Sequence, residues 1–348
     1  METPVFSVGK DQEVTTVLIP KEESAVYLNY KLTKKSALGM FFVALGSLFG
    51  SLMATAVSIL GSHYKIPSPA ITFIRCLVNL AINLICCAIV KANPVGPYKE
   101  TRKFIWVILR GLFGGIQITC YFFAFTKIFV GDATTLTFIA PVLTGFLAIC
   151  MLNEKWGWFD AIASIFCFVG VLFVAKPKFL FGGESSIQVG YLLIAFAGSC
   201  AAALAYIAVR KVGPSVSAFV LINYILIFTM LIAVFQSYFM IHIFPWPKKQ
   251  LPVQAWLWLV STGFLGAGAQ YCINRGLQLE KAGPATSMRF LDIVFSYFWQ
   301  VWIVHNPIDK FSLIGACLVS LCLILIGFKK WWYVRKARLE YEQSLFSV

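Results

Sequence analysis

Charge is scarce in this sequence. Of 348 residues only 13% are Asp, Glu, Lys or Arg, and the acids number 15. An average soluble domain carries about 25% charged residues, which excludes a soluble multi-domain enzyme. Histidine is scarcer still. His63, His242 and His305 are the only three, and all fall at the edges of apolar runs or between them. No Ser/His/Asp set, paired-carboxylate site or phosphate loop can be assembled at a plausible depth, so no enzyme is expected. The ten cysteines include no CxxC pair and no Cys/His cluster, which argues against a zinc site or a disulfide framework. No cofactor or metal is expected. Asn-x-Ser/Thr is absent. The first 36 residues hold no apolar stretch of leader length, so the first span is expected to act as the insertion signal.

Apolar text is abundant instead. Hydrophobic residues make up 59% of the chain and aromatics 16%, and the mean hydropathy is +0.80. Ten apolar runs stand out, at about 37–60, 70–90, 104–125, 133–152, 158–175, 188–209, 216–240, 254–276, 285–304 and 311–328. Runs of about 20 residues match a spanning helix, not the alternating ten-residue strands of a membrane barrel. The expected fold is an all-α polytopic membrane protein with ten transmembrane helices.

The net charge is +14. The positive residues sit mainly in tails and short links, so they read as topology signals; no basic helix lies outside the runs, and no nucleic-acid partner is expected. The N-terminal tail, even-numbered links and C-terminal tail hold 19 of the Lys and Arg residues, the odd-numbered links seven. Both termini are therefore expected in the cytosol. The stretch Lys329, Lys330, Arg335, Lys336, Arg338 reads as a stop-transfer anchor, with anionic lipid headgroups as a second reading.

The link after residue 175 divides the runs into five and five. Five is odd, so the second set must enter the bilayer inverted. Residues 111–162 aligned without gaps on 263–314 match at eleven of 52 positions, including Gly131-x-Ala133-Thr134 with Gly283-x-Ala285-Thr286. Two inverted five-helix repeats are expected. The segments are then a 1–36 tail, a 37–175 repeat, a 176–187 loop, a 188–328 repeat and a 329–348 basic tail.

Several strings carry a family resemblance: Arg110-Gly111-Leu112-Phe113-Gly114, GDATTLTFIAP (131–141), Leu152-Asn153-Glu154-Lys155, AKPKFLFG (175–182) and SMRFLDIVFSYFWQ (287–300). Together they resemble the drug/metabolite transporter superfamily with its paired EamA domains, and within it the G subgroup of solute carrier family 35. The resemblance implies a solute carrier working by alternating access. It implies a central cavity between spans 1–4 and 6–9, with spans 5 and 10 peripheral and, in some relatives, joined as a homodimer. Asn306 stands where Glu154 stands in the first half, so a charge the family pattern carries is missing there.

Polar residues inside the runs need a reason, because an ion at the bilayer centre costs about 2.5–3.5 kcal/mol even on lenient scales. Arg289 and Asp292 are three apart and share a helix face. They read either as a cavity wall, with Asp292 orienting Arg289 toward an anion, or as a local ion pair. Arg110 and Arg75 are placed to face a cavity or to snorkel. Asn79 and Asn83 continue a polar stripe from Arg75. Gln270 and Tyr271 are placed to donate to a substrate or to another helix; Gln117 and Tyr121 are weaker candidates of that kind. Three span arginines against one clear acid favour an anionic metabolite: a carboxylate, a phosphorylated compound or a nucleotide-sugar-like molecule. The alternative is a membrane scaffold or regulator that keeps the fold without transport.

Overall fold

Hydrocarbon offers no partner to a backbone amide, so long apolar runs satisfy themselves as helices. The computed structural model describes residues 21–97, 99–127, 135–154, 157–175, 180, 189–238, 251–303 and 310–346, and all regular elements among them are helical. They are α1 (Lys21–Ser62), α2 (Ser68–Ile89), α3 (Thr101–Lys127), α4 (Ile139–Leu152), α5 (Trp158–Ala175), α6 (Val189–Val212), α7 (Ala218–Gln236), α8 (Val253–Leu279), α9 (Ala282–Ser287), a 3-10 turn (Met288–Phe290), α10 (Leu291–Trp302) and α11 (Lys310–Phe346). Helix ends follow local chemistry. Pro67 caps α2 and Pro69 lies in its first turn, where a missing N–H costs nothing. Asn153 and Gly213 take positive φ at the ends of α4 and α6.

Among the described residues, eight helices are long and apolar enough to cross a membrane. Ten runs were expected, and the difference has a physical cause. α8 is 27 residues long but carries Gln254, Gln270, Asn274, Arg275 and Gln278. The run at 285–304 is broken into α9, the 3-10 turn and α10, each short. The two stretches that fall short are a helix carrying five amide or charged side chains and a run that is broken into short pieces around Arg289. α1 and α11 depart in the other direction. At 1.5 Å per residue the 42 residues of α1 span about 63 Å, twice a hydrocarbon core. Residues 21–36 and 329–346, read as tails, continue these helices, and Tyr27 and Tyr30 meet the ring of Tyr341 across them.

The helices pack in matched pairs. α1 lies on α8 and α3 on α6; α3 also meets α7, and α2 meets α8; α4 lies on α6, and α1 on α10. α2 packs on α7 and α5 on α11. Positions 152 apart make equivalent contacts. A Cβ at Gly198 would come within 2.8 Å of Cys120 on α3, and one at Gly46 within 3.2 Å of Cys272 on α8. Ser199 donates to the Leu136 carbonyl at 2.5 Å, and Ser47 to the Met288 carbonyl at 3.4 Å. Phe138 and Phe290, also 152 apart, stack on each other with centroids 6.0 Å apart.

Outward faces carry Phe41, Ile85, Phe146, Phe166, Leu231, Phe264 and Ile324, all exposed, which lipid covers in a membrane protein. The ten cysteines are free thiols, five of them buried. Residues 131–134, 176–179, 181–188 and 304–309 lie outside the described residues. They include the first Gly-x-Ala-Thr string, most of the 176–187 loop and Asn306.

Close glycine contacts generate a direct test. Gly46→Leu and Gly198→Leu force side chains into neighbouring helices and should each destabilise by about 1–3 kcal/mol. Gly61→Leu, where a Cβ meets nothing within 4 Å, should leave stability unchanged. Thermal unfolding in detergent, followed by size-exclusion recovery, reads the difference.

Candidate functional site

Helix breaks place the central charges. Pro141 lacks an N–H, which frees the carbonyl of Thr137. The helix does not kink at Pro141 itself. It breaks one turn earlier, at Phe138, and α4 restarts at Ile139 with Pro141 in its first turn. The freed Thr137 carbonyl accepts from the Tyr121 hydroxyl at 3.4 Å. The second break is the 3-10 turn, and Arg289 is its middle residue.

Arg289 is fully engaged by protein. Its Nε donates to Asp292 Oδ2 at 3.1 Å, its Nη2 donates to the same oxygen, and its Nη1 donates to the Tyr206 hydroxyl at 3.0 Å. The helical i,i+3 spacing thus brings the pair together as expected, and α6 supplies a third member. Asp292 Oδ1, by contrast, is buried and accepts no hydrogen bond among the described residues.

Arg110 does not snorkel. It is 2% exposed, among the largest fully buried side chains. Its Nε donates to Asn274 Oδ1 at 3.3 Å and its Nη2 to Gln270 Oε1 at 3.5 Å, both on α8. Its Nη1 is buried without a partner among the described residues. Gly114, one turn on, is what makes room: a Cβ there would collide with that nitrogen. Arg110 and Arg289 lie within electrostatic reach of each other and of Tyr206.

Arg75 is buried as well, so it too does not snorkel. Its Nη1 contacts Met53 Sδ at 3.2 Å. With Asn79, Ile118, Gly266 and Gln270 it lines a small internal cavity with room for about one water molecule. Gly266 stands 152 residues after Gly114 and borders this site, where a Cβ would lie in ordinary contact with Asn79 at 3.4 Å and Arg75 at 3.9 Å. Gln270 joins the two arginine sites: it lines this cavity and accepts from Arg110. Asn83 turns elsewhere, donating to Asn223 Oδ1 at 2.6 Å on α7.

Tyr271 does not join the site. Its ring stacks on Phe219 at 4.9 Å and meets Phe42 edge-on, which makes it a packing residue. Arg275 is half-buried and donates to Gln278 at 3.3 Å. Sequence reading missed Tyr206. A lone tyrosine in the Ala-rich run 201–208 was the available signal, and composition does not say which partner it meets.

At the end of the bundle where α4 stops, Glu154 ties the two halves. Its Oε1 accepts from Arg210 Nε at 2.6 Å and its Oε2 from the Ala282 amide at the start of α9 at 2.8 Å. Glu280 pairs with Lys330 of α11 at 2.7 Å.

A family model described as the EamA-like transporter family matches residues 37–176 and 188–328 of the chain. The chain belongs to the EamA-like transporter family. It is an integral membrane protein of transporter type. It is 29% identical over 310 residues to solute carrier family 35 member G1 of Homo sapiens, covering 86% of this chain and 81% of that one. It is 23% identical over 297 residues to the pseudopaline exporter CntI of Pseudomonas aeruginosa, covering 84% and 97%. A solved crystal structure superposes with a TM-score of 0.68 at 17% identity, covering 83% of this chain and 95% of its own, which speaks to the fold alone.

The Arg110 site of this EamA-like chain yields a second test. Removing one partner of a buried charge strands the other. Asn274→Leu should lower stability by about 1.5–3 kcal/mol, the range for a hydrogen bond to a charged group. Adding Arg110→Met should recover most of that loss. A double-mutant cycle on thermal unfolding measures the coupling.

Proposed function

We propose that this chain is a secondary-active carrier that moves an anionic small molecule by alternating access. One observation carries the reading. Two guanidinium groups, the buried Arg110 and the half-buried Arg289, lie within electrostatic reach across Tyr206, with Asp292 as the one carboxylate paired there. Two positive charges against one negative leave a net positive centre in a low-dielectric bundle, which favours a carboxylate, a phosphorylated compound or a nucleotide-sugar-like anion. Arg75, Asn79 and Gln270 extend the same polar path on the other side of α8. That a relative is named an exporter agrees with a small-molecule cargo.

The scaffold for such motion is ten spans built as two inverted repeats, 37–175 and 188–328, with α8 and the α9–α10 stretch as the eighth and ninth spans. The matched helix pairs, the Ser47 and Ser199 bonds and the Phe138–Phe290 stack support a half-turn axis in the membrane plane, since each relates residues 152 apart. Both termini then face the cytosol, and the Glu154–Arg210 and Glu280–Lys330 pairs close the cytosolic end in this conformation. α5 and α11 pack on each other at the rim and offer their outer faces to a homodimer.

Arginine at position 289 is required for its planar fork, not only for its charge. Arg289→Lys should lose most uptake and Arg289→Ala all of it, at matched membrane abundance. Uptake of radiolabelled succinate, inorganic phosphate and a nucleotide sugar into proteoliposomes is the measurement. Wild-type uptake by Arg289→Ala would reduce the residue to a structural partner of Asp292.

A further inference from the structure

Asp292 has a feature that holding Arg289 does not explain. Both Arg289 nitrogens that reach it converge on one oxygen, Oδ2, while Oδ1 is buried and accepts nothing among the described residues. Gly50 of α1 leaves Oδ1 uncovered; a Cβ there would stand 3.6 Å away. Ser47, on the same face of α1, sends its hydroxyl to the Met288 carbonyl over a long 3.4 Å and stands close enough to the Asp292 carboxyl to interact with it. The structure therefore holds a carboxylate with one oxygen on Arg289 and the other turned to Ser47 and Gly50 of α1, and an arginine whose three nitrogens all have protein partners.

We propose that Oδ1 of Asp292 is a proton-binding site, and that the proton taken there is carried across with the anion. This rests on the reading that Arg289 receives the anion. An incoming carboxylate or phosphate must share Arg289 with the Asp292 carboxylate. Two anions on one guanidinium repel strongly where water is sparse. A proton from bulk water on Oδ1 removes that repulsion, breaks the ion pair and turns the guanidinium to the substrate. No covalent bond in the substrate changes. On release to the far side both proton and anion depart, and Asp292 pairs again with Arg289 for the return. The groups that face the pair fit this scheme. The 3-10 turn presents Arg289, α6 presents Tyr206, and α3 presents Arg110 and Tyr121. α1 presents Ser47 and Gly50, and α11 carries no charged side chain between residues 311 and 328. Asp292 is thus the acid placed to take a proton beside two arginines and two tyrosines.

Linkage sets the sign: protonated Asp292 binds the anion better, so affinity rises as pH falls through its titration. The test uses the full chain in proteoliposomes holding a pH-sensitive dye, with succinate, inorganic phosphate and UDP-glucose as probes. An acid exterior should speed entry of the transported probe about tenfold or more, with about one proton entering per anion. Probe exchange should fall about 10- to 100-fold between about pH 5.5 and pH 8. Asp292→Asn, which mimics the protonated acid, should flatten that profile and abolish gradient-driven accumulation. Uptake without proton entry, with the same pH profile in wild type and Asp292→Asn, overturns the proposal. If no probe moves, the anion-carrier reading fails, and infrared spectroscopy decides on the site separately. Arg289→Gln should show a protonated-carboxyl band at neutral pH that Arg289→Gln/Asp292→Asn lacks. Its absence overturns the proton site; its presence upholds it.

Discussion

A guanidinium on a helix break inside a membrane bundle must be answered by protein, because lipid cannot hydrate it. Arg289 occupies that position, and much of the surrounding structure follows from it. The 3-10 turn at Met288–Phe290 removes regular helical hydrogen bonds just where the side chain leaves the backbone. Asp292 neutralises the charge locally, and Tyr206 of α6 takes the remaining nitrogen. Arg110 faces the same constraint with a different answer: two neutral amides on α8 satisfy part of its fork and leave its charge uncompensated. An ion pair kept only for stability is replaceable by apolar packing. A buried arginine answered only by amides is harder to explain as packing, and it gives the centre its positive sign.

Room for these side chains comes from glycine. Gly114 and Gly266 sit 152 residues apart on α3 and α8, one against Arg110 and the other against Arg75. Small residues at helix interfaces usually serve close backbone approach, and Gly46, Gly170, Gly198 and Gly315 do that here, each in contact with a neighbouring helix. The same residue type thus has two jobs in one bundle, close packing at the interfaces and clearance for cations at the centre. The two halves share the frame but not the charges. Arg289 stands opposite Thr137 in the 152-residue register, and Asp292 opposite Ala140.

The ends of the bundle are held differently from its middle. Glu154 both pairs with Arg210 and caps the start of α9, where the helix dipole favours a negative group. These contacts are near the bundle end and so are within reach of water, which lets them break and re-form at modest cost. The Arg289–Asp292 pair is half-buried to the same degree but lies within one helical segment, three residues apart, so it does not tie the two halves together.

From sequence alone the class of the molecule was legible: long apolar runs dictate helices, lysine and arginine bias sets an orientation to test, and the 111–162 with 263–314 match points to a repeat. Arg289 with Asp292 was legible too, because i,i+3 spacing is a local property of a helix. Arg75 and Arg110 were recognised as candidates, but whether they snorkel depends on what lies beside them, and only the packed bundle puts α8 there. Tyr206, 83 residues from Arg289, and Asn274, 164 from Arg110, became partners by tertiary contact alone. Tyr271 was drawn away from the site by two aromatic neighbours that no periodicity reveals. Local covalent spacing therefore determined the helices, the break at the proline-bearing fourth span and the one ion pair. The meeting of distant polar groups was decided by folding, because in a low-dielectric interior each buried charge settles where other helices bring donors and acceptors to it.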